Sequence, residues 1–540
     1  PIKVPATQSI CFACGQINTT RYDSRSLRCS GCEQEYNPQV GVTDGTKATC
    51  RRCHTEFRIV DTIAATGNTP QHEMYALLIL TGKGQKKYIR ASETDKELYN
   101  RAQTLMLQQD LLLPTSIIEP GHNTNQILRY NYREWRQLFN YRQLYCLSLL
   151  LQAILEEPDT ACRELLLLLF SSILEYNNMF CSYKGEGTGA VRPLFNHHIL
   201  KPERMALENT VWGISRGTTK SSGCFVTFFE SRLMRALAYR QRPFELCALK
   251  EDEKYKGEKV YNLSHRPATS TAANFEALGT RSNKALLFCG DSSHLELPDQ
   301  SVDVIVTDPP YFDFVHYSEL ADFFYAWLRL GLQQTHAEFR AETTRHTHEV
   351  QQRDAKAFSS ALCRVFQECT RVLKPDGLLI FSFHHSRTEG WEAVGQALFQ
   401  ANLGVVAAHP IKAEMSGASP KSQAESPINY DAILVCKQLP VPMKISLDDA
   451  IRATRQKARE KLCALSQDNL SDGDRFVILQ SQALCIFSQY IGQITNTEER
   501  EVTLSEFLAV TGCNLTTIDA PNNKTTEEVA DYEPNSVVSL

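Results

Sequence analysis

The sequence lacks three features that would assign it to a broad class at once. No apolar run reaches the roughly 18 residues of a membrane-spanning helix, and the two most apolar runs, 147–155 and 164–174, are separated by a charged turn. Net basic charge is absent, because 62 acidic residues outnumber 57 basic ones. The amino terminus carries neither a basic cap nor an apolar stretch, so no secretory signal is expected. We therefore expect no membrane association, and any contact with nucleic acid must come from local basic patches.

Composition and hydrophobic periodicity divide the chain into six regions, since 540 residues are too many for one core. Strand-like and helix-like segments alternate between about 284 and 437, which predicts an α/β fold with a Rossmann-like, doubly wound sheet. The predicted regions are a zinc ribbon over 1–60, a β-hairpin linker over 61–95, a helical region over 96–270, an α/β core over 280–440, a second helical region over 441–500 and a polar tail over 515–540.

Six of the 18 cysteines stand in CxxC pairs near the amino terminus. The pairs are Cys11/Cys14, Cys29/Cys32 and Cys50/Cys53. Two cysteines at this spacing present both thiolates to one tetrahedral zinc ion, and two pairs complete a site, so the pattern predicts a zinc ribbon. Six sulfurs exceed what one zinc ion needs, and the sequence does not show which pair is spare, although His54 adds one further candidate ligand.

The other cysteines are scattered singly, mostly in apolar runs, as is typical of small core residues. Together with the metal site, this usage indicates a reducing, cytoplasmic compartment. The basic stretch 51–58 in the third cysteine pair permits a contact with DNA.

The tetrapeptide Asp308-Pro309-Pro310-Tyr311 ends an apolar strand predicted over 302–307. Ligands of open α/β sheets bind beyond the carboxyl ends of the strands, so these residues are expected to line a cleft. The carboxylate of Asp308 and the carbonyl of Pro309 can accept both hydrogens of an exocyclic amine. Two prolines make the turn stiff, and the ring of Tyr311 offers a face on which a planar base can stack. The alternative interpretation is a strand that merely ends in a Pro-Pro turn.

The surroundings of this tetrapeptide favour the first interpretation. A second acidic residue, Asp291, follows Gly290 at the end of the preceding apolar run. A helix, turn and strand follow over 371–385, and a closing strand over 430–437. This arrangement resembles the amino-group DNA methyltransferases.

The resemblance is closest to the adenine-specific DNA methylases that carry an inserted zinc ribbon. It rests on TDPPYFDFVHYSELADFFYAWLR (307–329), REWRQLFNYRQL (133–144) and the cysteine pairs, and it extends over about residues 10–490. The resemblance implies a methyltransferase core over 280–440 that transfers a methyl group from S-adenosylmethionine to adenine N6 in DNA. It implies that Asp291, with Gly290, contacts the cofactor. Some members of the family take part in restriction-modification or antiphage defence.

One part of the family pattern is missing from the sequence. These enzymes need a glycine-rich loop after their first strand, so that the backbone can approach the cofactor. The segment 184–189 has the glycines but follows a helical run, and the segment 80–85 is better explained as a hairpin tip. Three explanations stay open: the loop belongs to a partner chain, it belongs to a segment left out of this sequence, or catalysis has been lost. We favour the partner chain.

Two further sets of residues are candidates for contact with DNA. Arginines alternate with aromatic residues over 129–143, where they either bind phosphates or belong to an amphipathic helix whose rings lie in the core. His384 and Phe312 are candidates for the pocket of a flipped-out base. The alternative to the enzyme is a non-catalytic zinc-ribbon subunit that binds DNA and keeps a vestigial methylase fold.

Overall fold

The protein is described by a computed structural model in which part of the chain is placed. The described residues are 6–41, 43–50, 52–81, 86–183, 191–196, 200–213, 215–216, 219–220, 222–246, 257–261, 269–279, 283–313, 315–413, 427–439, 441, 443–465 and 469–512. The glycine-containing segment 184–189, the hairpin tip at 82–85 and the polar tail at 515–540 lie outside these residues. Within the described part, none of the helices has the length and apolarity that a bilayer crossing requires.

The chain divides into two compact units, and the fold is mixed α/β with helices and small sheets. The first unit contains Pro1–Thr269 and His316–Thr347, and the second contains Ser270–Val315 and His348–Leu540. The segment 316–347 therefore belongs to the first unit, although its neighbours on both sides in the chain belong to the second.

The first unit begins with short antiparallel strands that flank the cysteine pairs. The strands of the unit are β1 Ala6–Ile10, β2 Ile17–Arg21, β3 Leu27–Arg28, β4 Glu35–Tyr36, β5 Thr43–Asp44, β6 Lys47–Thr49, β7 Glu56–Arg58, β8 Ala76–Leu80, β9 Lys86–Arg90, β10 Ser182–Tyr183, β11 Val191–Arg192, β12 Ser215–Arg216, β13 Thr219–Lys220, β14 Phe244–Leu246 and β15 Lys259–Tyr261. Each pairs antiparallel with its neighbour in sequence, and β5, β6 and β7 form one three-stranded sheet.

Helices form the rest of the first unit. They are α1 Ile59–Thr66, α2 Glu93–Gln108, α3 Asn125–Leu128, α4 Tyr141–Leu155, α5 Thr160–Leu174, α6 Phe225–Phe228, α7 Arg235–Gln241 and, from the later segment, α9 Tyr317–Leu332. Helix α4 begins at Asn140, whose side chain accepts a hydrogen bond from the Gln143 amide. Its buried leucines, Leu144, Leu147 and Leu151, follow the helical period, so one stripe of the helix faces the core.

Helix α9 ties distant loops of the first unit together through buried carboxylates. Glu319, which is 6% exposed, accepts hydrogen bonds from the amides of His122 (2.9 Å) and Asn123 (2.6 Å). Asp322 accepts one from the Thr344 amide at 2.6 Å. Phe323 of the same helix stacks on Phe139 with ring centroids 5.6 Å apart. Such satisfied carboxylates cost little to bury, whereas unpaired ones would be strongly destabilising.

The second unit contains a four-stranded sheet and the helices that cover it. The strands of the second unit are β16 Ser270–Ala272, β17 Lys284–Leu286, β18 Val302–Thr307, β19 Leu373–Phe383, β20 Leu403–Lys412, β21 Tyr430–Gln438, β22 Ile445–Ser446 and β23 Ile494–Thr495. Its helices are α8 Phe275–Leu278, α10 Ala355–Val372, α11 Thr388–Gln400, α12 Leu447–Ala464, α13 Asp472–Gln489 and α14 Leu504–Gly512. The sheet order is β18-β19-β21-β20, with β18 parallel to β19 and the other pairs antiparallel.

The two faces of this sheet are covered unequally. Leu379, Phe381 and Phe383 of β19 are almost fully buried on the face that packs on the helices. On the opposite face, Val304 and Val306 of β18 are 47% and 75% exposed. Strand β18 is also an edge strand, because within the described residues its only partner is β19. Within the described residues, the sheet therefore has one face covered by helices and two edge strands, β18 and β20.

The carboxyl end of β19 is stabilised by a close approach of helix α11. A Cβ atom on Gly390 would lie 2.4 Å from the ring of His385, which is 1% exposed.

We expect Gly390→Ala to lower the free energy of unfolding by about 1–3 kcal/mol, because the ring has no room to move. Without this steric clash, alanine would stabilise the helix relative to glycine. Urea unfolding measures this change. The control is Gly41→Ala, where the nearest atom is 3.9 Å away and little change is expected; an equal loss in both variants would contradict the packing argument.

Candidate functional site

The first candidate site is a cluster of four cysteines in the amino-terminal ribbon. The metal-ligating atoms of Cys11, Cys14, Cys29 and Cys32 all lie within 4.8 Å of one another. The Sγ atoms of Cys11 and Cys32 are 3.6 Å apart, and those of Cys14 and Cys29 are 3.5 Å apart. Zinc–sulfur bonds of about 2.3 Å in a tetrahedron place the sulfurs about 3.8 Å apart. The four cysteines therefore fit a zinc ion.

Hydrogen bonds around the cluster favour the thiolate of Cys29, whereas the neighbouring cysteines raise the pKa of Cys32 to about 12. The amide of Gly31 lies 3.3 Å from the sulfur of Cys29, and the Asn18 side chain donates to the same sulfur at 3.7 Å. Burial alone would raise the pKa of Cys29, but the amides of Cys32 and Gly31, with smaller contributions from Cys14 and Asn18, hold it at about 6. A lowered thiol pKa favours metal binding, because zinc binds the thiolate.

Four of the six predicted cysteines thus lie close enough together to hold one zinc ion. Cys50 and Cys53 lie outside the cluster. They are the spare pair that the spacing alone did not identify.

The second candidate site is the turn after β18. The register pairs Thr307 with Phe381, which brings Asp308 next to Ser382 of β19. The hydroxyl of Ser382 donates to Asp308 Oδ1. The Tyr311 hydroxyl donates to Ser382 Oγ at 2.6 Å and also lies 2.9 Å from Asp308 Oδ1. One oxygen of the carboxylate is therefore held by two hydroxyl groups.

The second oxygen of Asp308 is available. No hydrogen bond to Oδ2 occurs among the residues that the structure describes, and Asp308 itself is exposed. The carboxylate is thus positioned at one oxygen and open at the other, as a group that binds an amine requires.

The Tyr311 ring is fixed between aromatic neighbours. It makes edge contacts with Phe383 and His384, with centroids 5.5 Å and 4.8 Å away. Burial raises the pKa of Tyr311 above its usual value, so its hydroxyl stays protonated. His384 in turn hydrogen-bonds through Nδ1 with the Asp431 carboxylate of β21. His384 therefore lies beside the Tyr311 ring.

Phe312, the other residue suggested for a base pocket, lies in the hydrophobic core. It is 1% exposed and packs against Phe358 and His385, with centroids 5.3 Å and 5.5 Å away. Its φ angle is +57°, a left-handed conformation that is strained for a bulky residue. The side chain of Gln351 donates to its carbonyl. Such strain persists where surrounding contacts determine the conformation, and it is frequent beside functional sites.

Asp291 and Gly290 are exposed after β17. Both oxygens of Asp291 have partners, because Oδ1 accepts from the amide and hydroxyl of Ser293 and Oδ2 lies 2.9 Å from His348 Nδ1. Ser293 and then His348 lower the pKa of Asp291 to about 2, so this carboxylate is ionised. Within the described residues no hydrogen bond joins Asp291 to Asp308.

The arginines of 129–143 are mostly held inside the first unit. Arg142 forms a bidentate ion pair with Glu208, at 2.6 and 2.9 Å. Arg133 donates to backbone carbonyls, and Trp135 and Phe139 are buried. The buried rings agree with packing rather than phosphate binding, but the stretch is not one amphipathic helix, since α3 ends at Leu128, a 3-10 turn spans Trp135–Leu138 and α4 begins at Tyr141.

A cavity of about 1220 Å³ lies beside these residues in the first unit. Tyrosines and arginines line much of it, including Tyr75, Tyr99, Tyr132, Arg136 and Arg142. The cavity contains no residue of the Asp-Pro-Pro-Tyr turn, which belongs to the second unit.

The sequence interpretation missed Ser382, Asp431 and His348. Ser382 and Asp431 are partners of Asp308 and His384 across the sheet, and only strand register reveals them. A polar side chain in the apolar strand 378–383 was the one available signal for Ser382.

The cysteine cluster makes a direct prediction. We expect Cys29→Ser to remove one zinc ion per chain, because three thiolates bind zinc much more weakly than four. Metal analysis of the purified full chain measures this loss. The control is Cys463→Ser, which changes an exposed cysteine outside the ribbon and should leave the zinc content unchanged. Unchanged zinc in Cys29→Ser would exclude the four-cysteine site.

Comparisons with known proteins assign no family. No protein-family model matches the chain, and no curated protein and no solved structure is significantly similar to it.

Proposed function

We propose that this chain is the catalytic part of an S-adenosylmethionine-dependent DNA methyltransferase that acts on adenine N6. The observation that carries the proposal is the geometry of Asp308, whose Oδ1 is held by Ser382 and Tyr311 while Oδ2 has no partner among the described residues. Oδ2 and the carbonyl of Pro309 accept the two hydrogens of the adenine amine. With S-adenosylmethionine bound, the nitrogen lone pair would attack its sulfonium methyl group. The methyl–sulfur bond would break to leave S-adenosylhomocysteine, and the methylated amine would lose one proton to solvent.

The remaining residues of the turn orient the base. Base-modifying enzymes take the base out of the stack, at a cost that aromatic stacking offsets. Tyr311 provides the ring, and its contacts with Ser382 and His384 restrict the ring to one orientation. Asp431 positions His384. The role of Asp291 and Gly290 is to bind the cofactor adenine, and this role requires His348 to release one oxygen of Asp291.

The open edge of β18 supports a partner for this chain. Doubly wound sheets have helices on both faces, and the strand that carries the glycine-rich loop lies beside the fourth strand in the order 3-2-1-4-5-6. Strands β18 and β19 are parallel, as strands four and five of such a sheet are, whereas β21 beyond β19 is antiparallel and departs from that order. The exposed side chains of Val304 and Val306 suit coverage by the partner chain that carries the glycine-rich loop. On this proposal, a partner chain supplies the glycine loop at the same end as Asp308.

Cofactor binding tests the enzyme proposal. Calorimetry with S-adenosylmethionine compares the chain alone with the chain joined to a partner that carries an acidic-Pro-Phe-x-Gly-x-Gly loop. We expect binding by the assembly and weak or no binding by the chain alone, because the loop makes the closest backbone contacts. If neither preparation binds the cofactor while the chain still binds DNA, the non-catalytic zinc-ribbon subunit is the better interpretation.

Substitution of Asp308 tests its role in the chemistry. In the assembled enzyme, we expect Asp308→Asn to slow adenine methylation by about 10²-fold or more, because an amide oxygen attracts the amine less than a carboxylate does. Cofactor binding should be retained. The matched control is Asp303→Asn on the same strand, which disrupts only a surface ion pair with Lys374. Full activity of Asp308→Asn would remove this residue from the mechanism.

Two substitutions separate the ring of Tyr311 from its hydroxyl. If the ring stacks on the base, Tyr311→Ala should weaken base flipping by roughly 5- to 150-fold, equivalent to the about 1–3 kcal/mol of one stacked base. Tyr311→Phe, which keeps the aromatic ring, should retain most of the base flipping. Fluorescence of 2-aminopurine at the target position measures the flipped state. Equal losses in both variants would show that the hydroxyl contacts matter and the stacking does not.

A further inference from the structure

The third cysteine pair adopts the same backbone turn as the two pairs that form the four-cysteine cluster. In the first pair the Cys11 amide donates to the Gln16 carbonyl (2.9 Å) and the Gly15 amide to the Cys11 carbonyl (2.8 Å). In the third pair the Cys50 amide donates to the Thr55 carbonyl (2.9 Å) and the His54 amide to the Cys50 carbonyl (2.8 Å). The second pair repeats this pattern at Cys29.

The backbone conformation agrees as well. The residue four positions after the first cysteine has a positive φ angle in all three turns: +74° at Gly15, +60° at Glu33 and +55° at His54. For Glu33 and His54 this conformation is unfavourable. Each turn also lies at the tip of a short antiparallel hairpin, which is formed by β6 and β7 for the third pair. The third turn is therefore built as a zinc-binding turn although the four-cysteine cluster does not use it.

We propose that Cys50 and Cys53 are half of a second zinc site, which the same pair of a second copy of this chain completes. A structural zinc ion needs four ligands, and this turn provides two thiolates. The twelve cysteines outside the ribbon stand singly, so the 540 residues of this sequence contain no fourth CxxC pair. Each thiol loses its proton to solvent as zinc binds.

Exposure distinguishes the third pair from the completed cluster. The difference lies in the first cysteine of each pair, since Cys11 and Cys29 are 1% and 2% exposed whereas Cys50 is half-buried. The second cysteines are alike, because Cys14 is half-buried and both Cys32 and Cys53 are exposed. The β6–β7 hairpin tips of two copies can therefore approach each other without rearranging the hydrophobic core of either chain. A two-fold axis through one zinc ion relates the four thiolates as two equivalent pairs, and a contact of this kind closes at a dimer.

The surroundings of the pair are compatible with this contact. The Thr55 hydroxyl oxygen lies 3.3 Å from the sulfur of Cys53, a neighbour that can donate to a thiolate. At the base of the hairpin, Lys47 and Glu56 form an ion pair, whereas Arg52 within the turn is exposed and adds positive charge beside the thiolates. The proposal does not depend on the methyltransferase activity.

Zinc content and mass of the full chain test the proposal together. We expect about three zinc ions per two chains and a dimer by light scattering, since each chain holds one ion and shares another. In the double variant Cys50→Ser/Cys53→Ser we expect about one zinc ion per chain and a monomer. The ion that remains shows that the ribbon is still folded. The control, Cys162→Ser/Cys463→Ser, changes two exposed cysteines elsewhere and should behave as the unmodified chain does.

Three results would overturn the shared site. One zinc ion per chain in the unmodified protein would mean that the third pair binds none. Two ions per chain in a monomer would mean that the site is completed within one chain. A dimer that persists in the double variant with only one zinc ion per chain would mean that the copies associate elsewhere.

Discussion

The parallel register of β18 and β19 is the constraint on which the candidate site depends. Because Thr307 pairs with Phe381, the next residue of each strand, Asp308 and Ser382, meet at the carboxyl end of the sheet. A shift of one residue would turn Ser382 to the other face and remove its hydroxyl from Asp308. The hydrophobic core maintains the register, since Leu379, Phe381 and Phe383 are buried only in this alignment. The chemistry of the turn thus follows from packing on the opposite face of the sheet.

The same register explains why Tyr311 is so well positioned. Its hydroxyl reaches Ser382 and its ring contacts Phe383 and His384, so the last two residues of β19 and the residue after them hold it. Two prolines before it limit the paths that the backbone can take. The strained φ angle of Phe312 then directs the chain into the core. A stiff turn between two strongly packed segments suits a site that must hold a planar group without rearranging.

How far the sequence could predict these features depends on how local they are. The three cysteine turns were predictable, because each is closed by hydrogen bonds between residues at most five positions apart. The strands that precede Asp308 and His384 were predictable from their apolar runs. Ser382, Asp431 and His348 were not, since each is 47 to 74 residues from its partner. The arginines of 129–143 were ambiguous because a helix can present the same pattern to phosphates or to Glu208.

The sequence by itself determined the elements that short-range physics controls: the CxxC turns, the end of β18 in Asp-Pro-Pro-Tyr, and an α/β alternation around it. Tertiary structure alone decided which two cysteine pairs share a metal site, because all three turns are locally alike and only the packing of their hairpins selects a partner. It also decided that one oxygen of Asp308 is held and the other is open. These outcomes depend on which strands and hairpins meet, and that choice is made by the burial of side chains far away in the sequence.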